Sequence, residues 1–145
     1  LILLLVAFAH APTSDAQMSE SELQTYYTGL LEAEGLTSFI DSDGDVQFTY
    51  NDRNLFIEVD DVDTEFFRVV MFNIWPIESQ AEEVQVLGAA NAVSKELKVV
   101  KAYTLDDNVW LACELFLPGP EDLPSVLGRC LSVLDDAVDV FVRER

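Results

Sequence analysis

The sequence predicts an α+β fold, an antiparallel β-meander of about five to six strands packed with three helices in the order α-β-β-β-β-α-β-β-α. Three observations carry this expectation. Two Ser-x-x-Glu boxes, Ser19 with Glu22 and Ser79 with Glu82, each precede an apolar stripe at helical spacing. Short runs rich in aromatic and β-branched residues lie between and after them, separated by Asp-Gly, Asn-Asp and Asp-Asp turn signals. A third stripe, Leu123, Leu127, Cys130, Leu131, Leu134, Val138 and Phe141, recurs at the helical period near the end of the chain.

The first box opens a helix over residues 19–34, with Leu23, Tyr27, Leu30 and Leu31 on one side and Gly35 as its stop. Strands follow over residues 37–40, 46–50 and 55–59, then a longer, more buried one over 66–75 that ends at Pro76. The second box starts a helix to about residue 97, with Val86, Leu87, Ala90 and Leu97 facing inward. Its middle, Gly88-Ala89-Ala90-Asn91-Ala92, is made of small residues, which suits close packing on its own sheet or a subunit interface. Gly88, Ala89 and Ala92, with Trp75 and Trp110, are therefore interface candidates, a homodimer among the arrangements. Residues 98–105 and 109–117 form a hairpin around Asp106-Asp107-Asn108, and Pro118-Gly119-Pro120 introduces the last helix.

Half of the 145 residues are hydrophobic, enough for one domain with a sizeable core, read as residues 17–145. A formal charge of −19 argues against nucleic acid and anionic membrane surfaces as partners. Residues 1–9 are uninterrupted apolar, too short to span a bilayer but suited to the core of a secretory signal. Small-x-small sites follow at Ala9-His10-Ala11 and Ser14-Asp15-Ala16, and cleavage after Ala16 is preferred; an ordinary buried strand is the competing reading. Residues 1–16 are thus expected to be a signal peptide, and the mature domain to be exported, periplasmic or secreted, without a membrane span. Their loss removes His10, the only histidine, and with it Ser-His-Asp, Cys-His and imidazole-metal chemistry. In an oxidising compartment Cys113 and Cys130, both on inward-facing positions, could pair; two buried thiols are the alternative.

The run Asp41-Ser42-Asp43-Gly44-Asp45 resembles the start of a calcium loop but fits no EF-hand register. With Asp41 first, Val46 takes the glycine position and Asp52 the twelfth; with Gly44 sixth, Phe39 is first and Tyr50 twelfth. A tight hairpin suits it better. In a meander, however, this turn and the third-to-fourth strand loop share one end of the sheet. Asp41, Asp43, Asp45, Asp60, Asp61, Asp63 and Glu65 could then approach one another and take a hard divalent cation. Lys95, Lys98 and Lys101 form the only basic cluster and are expected to neutralise nearby acids rather than to bind phosphate. Trp75, Trp110, Phe66 and Phe67 read as core or interface anchors. No glycine-rich phosphate loop or metal-spaced cysteine cluster appears, so no cofactor and no catalytic residue is assigned.

The stretches DSDGDVQFTYNDRNLFIEVDDVDTEFFRVVMFNIWPIES, AANAVSKELKVVKAYTLDDNVWLACELFL and LGRCLSVLDDAVDVF together resemble the YbjN family, described as bacterial sensory transduction regulators. The resemblance spans about residues 19–141. It implies a fold similar to type III secretion chaperones, an α/β sandwich that commonly dimerises and binds other proteins, and it carries over no catalytic residue. A secretory signal departs from the family's cytoplasmic pattern. Two functions follow as expectations: a non-enzymatic exported domain that binds a protein or peptide in a chaperone-like or regulatory role, and a carboxylate-based metal binder or metal-dependent hydrolase.

Overall fold

A computed structural model describes residues 17–145, so the expected signal peptide and His10 lie outside the described residues. The chain forms α1 (Glu20–Ala33), β1 (Ser38–Ile40), β2 (Val46–Tyr50), β3 (Arg53–Ile57), β4 (Phe66–Pro76), α2 (Gln80–Glu96), β5 (Val100–Leu105), β6 (Asn108–Phe116), a 3-10 turn (Pro120–Ser125) and α3 (Leu127–Glu144). This is the expected α+β order.

Local chemistry explains the ends of these elements. The Glu22 carboxylate reaches back to the Ser19 amide at 2.8 Å, satisfying a donor that the helix itself cannot. At α2, Ser79 Oγ accepts from the Glu82 amide at 3.2 Å. Glu82 does not close the box on Ser79: its carboxylate accepts instead from the Glu78 amide and from Trp75 Nε1, both at 2.9 Å. The two-residue turn Asn51-Asp52 has φ of 49° and 61°, the left-handed geometry that matches the twist of a hairpin and that Asn and Asp tolerate. The last helix does not run straight from Pro118. Pro120–Ser125 closes first as a 3-10 turn with Pro124 inside it, and the α-helix starts only at Leu127.

The strands form one fully antiparallel sheet in the order β1-β2-β3-β4-β6-β5, so the meander continues only through β4. The reason is directional. The α2 crossover returns the chain so that β5 runs parallel to β4, and only with β6 between them does every neighbour pair antiparallel. The central pair is also the longest, 11 residues in β4 and 9 in β6, and both strands carry apolar side chains on each face.

All three helices lie on one side of the sheet. Leu23, Tyr27 and Leu31 of α1, Val86, Ala89 and Val93 of α2, and Leu127, Cys130, Leu134 and Phe141 of α3 share a single core with Val46, Phe48, Leu55, Ile57, Val69, Met71, Val109, Leu111 and Cys113. Leu87, expected inside, is 48% exposed, because the inward stripe of α2 runs through Val86, Ala89, Ala90 and Val93. The small residues Ala89 and Ala90 let α2 lie close to its neighbours, β5 and α3.

Candidate functional site

Strand alternation that turns one set of side chains to the helices turns the other set to the opposite side, where no described element covers them. Registers Phe56↔Val70, Val70↔Ala112 and Lys101↔Ala112 make a row across β3, β4, β6 and β5. Val70 and Ala112 have no exposed surface although no helix touches this face. Aromatic rings beside them supply the cover. Phe56, Phe72 and Trp110 form a triangle with ring centroids 5.9, 6.2 and 5.7 Å apart, and Tyr103 adjoins Trp110 at 6.3 Å. Nearer the Phe66 end of β4, Phe66 meets Phe116 at 5.6 Å, and Phe116 is 77% exposed.

A bulge helps set this arrangement. Met71 pairs with Leu111 and Trp75 with Val109, so β4 spends two more residues than β6 between those rungs, with Asn73 at φ 53°. Trp110 Nε1 donates to Asn73 Oδ1 at 3.1 Å, which ties the indole to the bulge.

Beside the rings lies a charge network. Arg68 Nη1 is 3.3 Å from Glu58 Oε2, its Nε is 3.2 Å from Glu114 Oε1, and its Nη2 donates to Tyr103 Oη at 2.8 Å. The Nε contact is an ion pair without hydrogen-bond alignment, since that nitrogen has no directed acceptor. Lys101 Nζ approaches Glu114 Oε2 at 2.7 Å and neutralises an acid as expected, whereas Lys95 and Lys98, of which the same was expected, are in no ion pair among the described residues. Burial works against the Arg68 cation, but Tyr103, Glu58 and Glu114 outweigh it and hold its pKa above the ordinary arginine value. Burial likewise raises the pKa of Tyr103 and keeps its hydroxyl protonated. Two cations face two carboxylates here, so this patch is locally neutral in a chain whose formal charge is −19.

The acidic loops meet but do not converge. Asp45 Oδ1 accepts from the Val59 amide at 2.9 Å, which places the β1–β2 turn against the β3–β4 loop as the meander required. The remaining carboxylates organise their own turns: Asp41 Oδ1 accepts from the Asp43 and Asp45 amides, and Asp60 Oδ1 from those of Val62 and Asp63. Asp63 and Glu65 line a cleft of about 590 Å³ with Glu121, while Asp61 offers its backbone carbonyl to Gln17. Among the described residues no three acidic, histidine or cysteine side chains are grouped to hold a metal ion. Gly44, at φ 92°, makes the turn possible.

Cys113 and Cys130 are free thiols, both buried, joined by a hydrogen bond between β6 and α3. That bond and burial push the Cys113 thiol up, whereas accepting it, with Arg129 nearby, lowers Cys130, which ionises first of the two.

The interface candidates separate. Ala89 is in the core, Ala92 is half-buried, and Gly88 is exposed in open space on the same side of α2 as exposed Val84 and Leu87. Trp75 lies on the helix side against Phe141 at 6.4 Å, with the Arg145 guanidinium 3.4 Å above its ring. Of these candidates only Trp110 belongs to the open aromatic face. Phe56, Phe72, Tyr103, Arg68, Glu58 and Glu114 were not singled out from the sequence. Their signal was the presence of large apolar residues on both parities of β4 and β6, which shows that both faces of the central strands are covered by side chains.

Fold and face together define a two-layer α+β domain with one helix-covered side and one open side that is aromatic and charge-balanced. No protein-family model matches the chain, and no curated protein matches it. Among the described residues, no helix is long and apolar enough to cross a membrane.

Proposed function

We propose that the chain is a non-enzymatic, exported protein-binding domain of the YbjN type, chaperone-like or regulatory, whose partner docks on the open sheet face. The observation that carries this reading is the aromatic cluster Phe56, Phe72, Trp110 and Tyr103 on a sheet side that no described element covers. Clustered aromatics with an adjoining Arg are the groups that most often dominate the energetics of protein interfaces. Charge selects the class of partner. The open face is neutral, but the rest of the molecule is strongly acidic, so long-range steering favours a protein of net basic charge. Support for a non-enzymatic role is the absence of histidine from the sequence after residue 10.

The experiment places a photo-cross-linking residue at Phe56 and, as control, at Gln85 on the exposed part of α2, in cells of the source organism. A discrete adduct with a basic protein from position 56 alone, lost when Trp110→Ala is added, supports the reading. Equal adducts from both positions, or none from 56, would overturn it.

A further inference from the structure

A second concavity lies on the helix side, where the first half of α3 leaves the sheet beside the lead-in to β5. It measures about 480 Å³, within the roughly 300–1,000 Å³ of small-ligand pockets. Leu115, Val126 and Val133 give it an apolar wall, and Cys130, only 3% exposed, lies at its base. Two cations, Lys98 and Arg129, border it together with a single acid, Asp136.

The local charge of this cleft differs from that of the chain as a whole. The chain has 8 Lys and Arg against 27 Asp and Glu, so two cations beside a single acid make a local exception to its acidic surface. Arg68, Lys101, Arg143 and Arg145 are all in ion pairs. Among the described residues, Arg53, Lys95, Lys98 and Arg129 are in none, and two of these four, Lys98 and Arg129, border this one cleft. Hydrophobic wall and net positive rim call for a ligand with an apolar tail and an anionic head. Val99, also lining the cleft, is β-branched yet held at φ 59°, and its carbonyl is fixed by the Glu114 amide at 3.0 Å, so the Lys98 side of the rim is anchored to β6.

We infer that this cleft binds a medium-chain aliphatic carboxylate, with the head group between Lys98 and Arg129 and the chain along Leu115, Val126 and Val133. Charge complementarity selects the anion over the corresponding alcohol or amine, because either substitute leaves both cations unpaired. The cleft is separate from the open sheet face, so the inference stands apart from the proposed protein partner.

The test titrates the full-length chain with octanoate, followed by amide chemical shifts, with octanol and octylamine as controls. Saturable shifts confined to Val99, Leu115 and residues 126–136, absent with octylamine, are expected. Arg129→Gln and Lys98→Gln should each weaken binding by about three- to tenfold, the range for charge-assisted contacts at a partly exposed rim. No saturable shift, equal response to octylamine, shifts centred on Trp110, or unchanged affinity in both variants would each overturn the inference.

Discussion

Removing the Arg68 cation is the sharpest perturbation of the open face. In Arg68→Met the apolar stem is kept while the contacts to Glu58 at 3.3 Å, Glu114 at 3.2 Å and Tyr103 at 2.8 Å are lost. The Arg68 side chain is 24% exposed and its two acids 35% and 20%, so the pairs lie between the surface and the interior. Surface pairs contribute about 0.2–1 kcal/mol and hydrogen bonds to buried charges about 1.5–3, and a screened intermediate is about 1 kcal/mol per carboxylate. Lys101 still neutralises Glu114 in part, so the total loss is expected near 2 kcal/mol. With an unfolding entropy of about 2.1 cal/mol/K per residue, a chain of this length should melt roughly 7 °C lower. Urea denaturation gives the free energy, and a cycle with Glu58→Gln should return a coupling near 1 kcal/mol. Arg68→Lys should recover only part of the loss, because one ammonium cannot serve three partners as a planar fork does. A change below about 0.5 kcal/mol, or full rescue by lysine, would refute the reasoning.

Three other expectations can be checked by the same methods. The Asp45 carboxyl is held above its ordinary pKa of 3.8, chiefly by burial and then by Asp41, Glu58 and Asp43, against the single Val59 amide that favours its charge. The folded state thus binds the proton more tightly than the unfolded one, and stability falls as pH rises from 3.8 through the raised value. Asp45→Asn, which keeps an oxygen for Val59, should therefore raise the urea midpoint at neutral pH and lose that gain once the medium is acidic enough to protonate Asp45; an equal or lower midpoint at neutral pH contradicts this. Ser79→Ala removes the acceptor for the Glu82 amide and should cost about 1 kcal/mol, with Ser79→Gly costing only a few tenths. Under denaturing, non-reducing conditions a thiol reagent should titrate two cysteines, and should find neither in the native fold; fewer than two on denaturation would establish a bridge between Cys113 and Cys130.

Much of the helix-side architecture was legible because it depends on local chemistry and period. The α3 stripe of Leu127, Cys130, Leu131, Leu134, Val138 and Phe141 is buried as its spacing required. The Asp41–Asp45 turn is a hairpin because Gly44 supplies a positive φ and Asp41 accepts from two following amides. Leu87 misled because a helix of small residues has a broad, weak apolar stripe: Val86, Ala89, Ala90 and Val93 satisfy the core without it.

By itself, the sequence determined the element order, the N-cap serines, the inward faces of α1 and α3 and the proximity of the two acidic loops. Each of these follows from residues within a few positions of one another, or from the forced geometry of consecutive antiparallel strands. Tertiary structure alone decided which strand lies beside β4, and therefore which side chains meet. The insertion of β6 between β4 and β5 brings Trp110 to Phe72 and Glu114 to Arg68, pairs separated by 38 and 46 positions in the chain. The bulge at Asn73, invisible to a period-two reading, shifts the register by two residues, so that Trp75 stands opposite Val109 and Asn73 is left to accept from Trp110 Nε1. Contacts of that kind arise from strand order and register, and a one-dimensional pattern of polarity encodes neither.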